Sequence, residues 1–368
     1  MLALTTSLWV LTGVLALATL ISFSKRKLGV VRGFDFPRQQ FLMMALPLAA
    51  IFALLQPGAY WQYGLGVLGA VIAVQAFFII KFTPLWSRQS VAADARQRAR
   101  TEQHVSLLTC NVKKSNRQYH RLIALIRDRE PDVVMAIETD ADWIDALKDG
   151  LARSYPHWIE VPQDNGYGLC LFSRLALRHW DVRELITRKV PSIRTSVILR
   201  GGRPFRLYVV HPEPPSYEQD TLGRDSELAM VGLEAKKDPL PTVVSGDLND
   251  VAWSTTTRRF QRLSKLLDPR VGRGFYNTFS ATMPWMRWPL DHLFHDARFR
   301  LVEMARERKV GSDHFPMWFV LCLADSDAIN SDPGMAEPGE VMQAKREIVA
   351  QRRKDRDPIG EDWENEDI

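Results

Sequence analysis

Apolar residues gather in three long runs at the start of the chain and in short bursts after it. Residues 2–23 carry no charge. At the helical rise such a run is long enough to cross a hydrocarbon core of about 30 Å. A second run covers residues 41–55 and a third about 60–80, with Gln56-Pro57-Gly58 as a turn signal between them. The pattern predicts three membrane helices, the last two forming a tight hairpin. The second run is short against the roughly 20 residues usual for a span, so a re-entrant or soluble helix is the alternative there. The first run does not read as a signal peptide, because its basic residues, Lys25, Arg26 and Lys27, follow it.

Charge gives this region an orientation. The first loop holds Lys25, Arg26, Lys27, Arg32 and Arg38, the hairpin turn holds no Lys or Arg, and Lys81, Arg88, Arg96, Arg98 and Arg100 follow the third run. With three spans both basic stretches fall on one side, which the positive-inside rule makes cytoplasmic. Tyr60, Trp61 and Tyr63 would anchor the opposite interface.

From Val105 the periodicity changes. Residues 105–110 read as a buried strand, and Leu122, Ile123, Leu125 and Ile126 mark one face of a helix over 119–129. Strands are expected at 133–137, 169–172, 196–199, 205–210, 242–245, 290–294 and 315–323, with helices at 142–151 and 221–235. Some strands follow one another directly and others are joined by helices, a mixture that favours a layered α/β sandwich over a simple alternating parallel sheet. The expected organisation is a membrane region (1–82), a linker (83–103), a folded domain (104–323) and a tail (324–368). The tail is rich in charge, Pro and Gly, and is expected to be disordered apart from a frayed basic helix over 344–354.

Composition adds little. The 368 residues carry a net charge of +5, mild enough to suit a phosphate-bearing substrate or a membrane-facing surface. Cys110, Cys170 and Cys322 are too few and too apolar in setting for a disulfide framework or a zinc site, and read as core thiols.

The chemistry lies at strand ends. Asn111, Glu138 and His211 each follow a strand, Asp247 and Asn249 follow another, Asp291-His292 interrupts an apolar run, and Ser312-Asp313-His314 precedes the last strand. Acid, amide and imidazole groups so placed can converge on one rim of a sandwich. Carboxylate oxygens suit Mg²⁺, which neutralises phosphate charge, and a His beside them suits proton transfer.

These blocks resemble the endonuclease/exonuclease/phosphatase superfamily. The matching stretches, in the family's order, are Leu107-Leu108-Thr109-Cys110-Asn111, Pro131-Asp132-Val133-Val134 leading to Glu138, Gly168 to Arg174, Val210-His211-Pro212, Ser245-Gly246-Asp247-Leu248-Asn249, Leu290-Asp291-His292 and Gly311-Ser312-Asp313-His314. The resemblance covers roughly 104–323 and implies a four-layered α/β sandwich of the DNase I-like kind. It implies Mg²⁺, with Mn²⁺ as the alternative, held chiefly by Glu138 with Asn111 as a second contact and Asp313 in support. It implies His211 on the scissile phosphate, Asp247 and Asn249 on the reacting oxygen, and His314 as the proton-transfer or phosphate-stabilising group oriented by Asp291. Whether Asp247 or His314 activates water stays open.

Blander readings stand beside these. Taken alone, Asn249 is a turn former. His292 reads as structural, and Arg174 and Arg194 as solvated or salt-bridged. The Pro284-Trp285-Met286-Arg287-Trp288 stretch reads as packing more readily than as a substrate loop. The expected function is a membrane-anchored Mg²⁺-dependent phosphoesterase attacking phosphorus with water, with an endonuclease or exonuclease as one form. A lipid-headgroup phosphodiesterase or phosphatase is the alternative, and a non-catalytic scaffold binding a phosphorylated ligand is the reading from another class. The substrate is a phosphate ester, nucleic acid or lipid headgroup, and no obligate protein partner is evident.

Overall fold

The computed structural model describes residues 2–326 and 332–361. Its first part is helical: α1 (Leu2–Ile21), the short α2 (Gly29–Gly33), α3 (Arg38–Leu55) and α4 (Trp61–Ile79). Three segments, Ala3–Ile21, Arg38–Leu55 and Trp61–Phe82, are long and apolar enough to cross a membrane. Their mutual contact is lined by Leu15, Ala45, Phe52, Leu68 and Val71. Gln75 ties the bundle together, donating to the Thr19 hydroxyl at 2.9 Å and accepting from Arg38 at 3.2 Å.

The remainder alternates strands and helices in the order α5 (Ala95–Ala99), β1 (His104–Asn111), α6 (Tyr119–Arg129), β2 (Val133–Ile137), α7 (Ala141–Leu151), β3 (His157–Val161), β4 (Leu169–Ser173), β5 (Leu177–Glu184), β6 (Pro191–Ile198), β7 (Pro204–Val210), α8 (Leu222–Lys237), β8 (Thr242–Asp247), α9 (Thr255–Ser264), β9 (Asp291–His295), β10 (Phe299–Arg306), β11 (Met317–Leu323) and α10 (Pro338–Arg352). A six-stranded sheet has the order β10-β11-β1-β2-β4-β3 and a five-stranded sheet the order β5-β6-β7-β8-β9. Both are mixed: β1 runs parallel to β2 and antiparallel to β11, and β7 runs parallel to β8 while β9 runs antiparallel to it.

Side-chain alternation builds four layers. Along β2, Val133, Met135 and Ile137 point between the sheets, while Val134 and Ala136 point out against α6 and α7. Along β7, Phe205, Leu207 and Val209 join the same inter-sheet core, while Tyr208 and Val210 face α8, α9 and α10. Each strand is thus buried on both faces, which is why the central strands read as continuous apolar runs. Fully burying one such Leu, Val or Phe contributes about 1.5–3 kcal/mol. This is the DNase I-like sandwich that the motifs implied.

Two expectations change. The tail is not simply disordered. Between the residues that lie outside the described ones (327–331 and 362–368), α10 packs Ala344 and Ile348 into the core beneath α8. The helix expected over 344–354 begins earlier, at Pro338, and its polar residues are held by ion pairs, Arg262 to Glu340 at 2.5 Å and Arg259 to Glu347 at 2.7 Å. The expected linker is also fixed to the domain. Ala92 bridges to Leu301, and the Ser90 hydroxyl lies 2.7 Å from His295 Nε2.

Candidate active site

Strand direction gathers the polar residues at one rim. Asn111 ends β1, Asp247 ends β8 and Asp291 begins β9, and Asp247 and Asp291 are register partners across the β8–β9 pair. Glu138 and His211 lie just past the ends of β2 and β7, and His314 lies just before β11, which runs antiparallel to β1. Gly246, one residue before Asp247, has φ +150°, and a Cβ there would overlap the carbonyl oxygen of Val210. Only glycine lets β8 approach β7 this closely at the site.

At the centre, the Asn111 amide donates to Glu138 Oε1 at 2.6 Å and to Asp247 Oδ2 at 3.0 Å, and its own carbonyl accepts from the Lys113 N–H at 3.0 Å. His314 sits between two carboxylates. Its Nδ1 is 2.7 Å from Asp291 Oδ2 and its Nε2 is 3.6 Å from Asp247 Oδ2. Burial opposes charge on this ring, but Asp291 and Asp247 outweigh it and raise its pKa to about 10. Burial in turn raises the Asp247 pKa, while His314 and its hydrogen bond overcome burial to lower that of Asp291. His211 is buried too, with Nδ1 3.3 Å from the Asp247 carbonyl and Nε2 3.7 Å from Glu138. Burial holds its pKa down, so it is a neutral ring beside a charged one.

The turn after β8 is fixed from several sides. Asn249 has φ +51°, donates its N–H to Asp247 Oδ1 at 2.9 Å and its amide to the Pro212 carbonyl at 2.9 Å. Its backbone carbonyl accepts from Arg224 Nη1 at 2.8 Å. Arg224 is itself buried, 3.2 Å from Asp225 and 3.5 Å from Asp250. Sequence reasoning missed Arg224. The available signal was an Arg-Asp pair inside α8, a helix that buries polar residues as well as apolar ones.

Asp313 stands on the same cavity wall, its carboxylate 3.1 Å from Lys113 Nζ, a lysine the motif reading passed over. His292 is structural: Nε2 meets the Asp250 carbonyl at 2.8 Å and Nδ1 is held by Arg270. Arg174 pairs with Glu130 and Arg194 with Asp238. The three cysteines are buried and free. Trp288 is packed, stacking on Phe279 at 6.0 Å, while Trp285 is exposed.

The donor set fits a hard divalent cation. Two carboxylates, Glu138 and Asp247, converge on the one amide of Asn111, and oxygen ligands of this kind suit Mg²⁺ or Mn²⁺. Asp247, Asp291 and His314 also lie within 4.8 Å of one another.

These groups open into a cavity of about 610 Å³. Its walls include Tyr167 and Ile359, and Gly29, Gly33, Phe36 and Pro37 from the first inter-helix loop, none of which the sequence marked as part of the site.

The family model described as "Endonuclease/Exonuclease/phosphatase family" matches residues 108–314, more than half of the chain. Among solved structures, the chain is similar to an endonuclease/exonuclease/phosphatase from Beutenbergia cavernae DSM 12333, with 19% identity, a TM-score of 0.50, and 60% of this chain and 72% of that one covered. It is also similar to the human nocturnin catalytic domain with bound sulfate, with 15% identity, a TM-score of 0.50, and 61% of this chain and 95% of that one covered. Both likenesses are of fold. No curated protein sequence matches the chain. With the family model covering every one of these rim residues, from Asn111 to His314, the chain belongs to the endonuclease/exonuclease/phosphatase family, metal-dependent hydrolases acting on phosphate esters.

Proposed function

We propose that the protein is a membrane-anchored, Mg²⁺-dependent phosphoesterase that cleaves its substrate by attack of water at phosphorus. The observation that carries this reading is the placement of His314 between Asp291 and Asp247, beside the Glu138–Asn111 pair. Glu138, Asn111 and Asp247 would hold the cation. Bound there, it supplies positive charge to the phosphate oxygens as negative charge develops on them. Asp247 orients water and takes its proton, with the Asn249 N–H fixing the other oxygen of the same carboxylate. His314, held by Asp291, presents Nε2–H to a phosphoryl oxygen. His211, with its Nδ1–H on the Asp247 carbonyl and its Nε2 toward Glu138, borders the scissile phosphate and shapes its pocket.

The three apolar spans support anchoring. The basic residues flanking them support a cytoplasmic position for the catalytic domain. The test is hydrolysis of bis-p-nitrophenyl phosphate by the purified protein with Mg²⁺, with Mn²⁺ and with EDTA. Activity that requires the metal and is lost in Glu138→Ala and His314→Ala is expected. Full activity in either variant overturns the assignment.

A further inference from the structure

We propose that the phosphate ester cleaved here belongs to a membrane lipid, and that the N-terminal helices form one wall of the lipid's cavity. This rests on the phosphoesterase reading and names its substrate class.

The wall comes first. Gly29, Gly33, Phe36 and Pro37 line the same cavity as Glu138, Asp247 and His314. Pro37 is the N-cap of α3, and the next residue, Arg38, opens an apolar span. The catalytic cavity therefore begins where a membrane-crossing helix begins, at the depth of lipid headgroups.

This wall is built into the domain and is not a loose tether. The Gly29 N–H donates to the Gln219 carbonyl at 3.0 Å, and the Thr221 N–H donates to that of Lys27 at 2.7 Å. Trp253 Nε1–H donates to the Asp35 carbonyl at 2.7 Å, and Gln40 donates to that of Trp285 at 3.0 Å. Ile79 and Phe82, at the end of the last span, share a buried cluster with Trp253 and Leu290.

The lining suits one phosphate with an apolar neighbour. Phe36, Pro37, Met286, Trp288 and Leu290 flank the polar groups, and among the described residues Lys113 is the single lysine in the lining and arginine is absent from it. A nucleic acid is gripped through successive phosphates by several Lys and Arg, and its bases by open aromatic faces. Here Trp288 has one neighbour stacked on it, Phe279, and another, Phe36, edge-on at 5.7 Å, which leaves Tyr217 as the exposed aromatic among the described residues of the lining. The rim continues outward as exposed apolar side chains, Trp285 at 70%, with Met283 beside it and Leu28 and Val30 on the facing loop. Lys25 and Arg26 are exposed on that same loop. Apolar tips with basic neighbours suit insertion into an anionic headgroup layer.

In the reaction, the water oxygen bonds to phosphorus and the P–O bond to one alcohol breaks. The bonding pair and a proton go to the leaving oxygen, so a lipid phosphodiester yields a phosphomonoester and an alcohol.

The test uses the full chain reconstituted in vesicles of phosphatidylcholine, phosphatidylethanolamine, phosphatidylglycerol and phosphatidic acid, with Mg²⁺ and phosphorus NMR as readout. Parallel arms use chain-free glycerophosphodiesters, single-stranded and duplex DNA, and bis-p-nitrophenyl phosphate. Cleavage of a vesicle lipid is expected, with kcat/KM about tenfold or more above its chain-free headgroup ester, and with a rate that follows the lipid's surface fraction at fixed bulk concentration. Equal or faster cleavage of the chain-free ester or of DNA overturns the proposal. So does hydrolysis of bis-p-nitrophenyl phosphate with every vesicle lipid intact, which leaves the phosphoesterase reading standing. Hydrolysis of no probe at all overturns that reading and the lipid assignment with it.

Discussion

Gly29 and Ser216 meet so closely that no side-chain atom fits between them: a Cβ on Gly29 would overlap the Ser216 carbonyl oxygen. One residue belongs to the segment between α1 and α3 and the other to the segment before α8. Their contact is the seam at which the helical region joins the cavity wall.

Gly29→Ala should open this seam. The overlap is with backbone, which cannot rotate away, so the 213–221 segment must shift. Overpacking of this kind costs about 1–3 kcal/mol. The measurement is amide hydrogen exchange of the Gln219 and Thr221 region, which should speed up. Exchange as slow as in the native chain would show that the seam is not constrained.

Asp291→Asn keeps the shape of the side chain but removes the negative charge that does most to hold His314 as a cation. The imidazole pKa should fall, and the ring should lose its fixed orientation. Loss of a positioned acid–base group lowers kcat by a factor on the order of 10² to 10⁴. Turnover of bis-p-nitrophenyl phosphate across the pH range reads both effects. A profile that overlays the native one would remove Asp291 from the mechanism.

Much of this arrangement was legible before the structure. The strands that carry Asn111, Glu138, His211 and Asp247 are apolar on both faces, so their ends stood out as changes in composition. Strands β3, β5 and β10 were not seen. Each lies at a sheet edge and is only partly buried, so its pattern breaks up into mixed polar residues. Helix α9 was missed because Phe260 and Leu263 alone mark its apolar face, while its buried Thr and Arg residues are held by capping and ion pairs. The roles of Phe36 and Ile359 could not be read at all, because each meets the site only through contacts distant in sequence.

The buried histidines make the fold acid-sensitive. Burial lowers the pKa of His292 to about 3 and that of His295 to about 4. His295 is held neutral between the Asp296 carbonyl at 2.9 Å and the Ser90 hydroxyl. A depressed folded-state pKa means that the unfolded chain takes up the proton first. The stabilisation is therefore complete above about pH 6.5 and is lost as pH falls toward each folded value, by about 2 kcal/mol per ring at pH 5. The urea midpoint of the native chain should drop between pH 7.5 and 5. The stability gap between native chain and His295→Gln should narrow by that amount, and a gap that stays constant with pH would rule the ring out.

Glu213 offers the last test, because its carboxylate is buried and its charged partner in the tail, Arg356, can be removed by mutation. Arg356 binds both of its oxygens, at 2.6 and 2.5 Å, and the Ile359 N–H donates to one of them at 3.0 Å. Thr187 supplies the remaining bond at 3.0 Å. Tyr167 donates to the Ile359 carbonyl and lies against His211, ring to ring at 5.4 Å. The tail is thereby pinned beside His211 in the candidate site. Arg356→Ala leaves a buried carboxylate short of its charge partner, at a cost of about 1.5–3 kcal/mol. Glu213→Gln in the same chain removes that stranded charge and should restore part of the loss. KM should rise in Arg356→Ala while kcat stays closer to native, because Ile359 shapes the cavity without touching the reacting atoms. An unchanged KM with a fully native melting curve would show that the tail contributes nothing to the site.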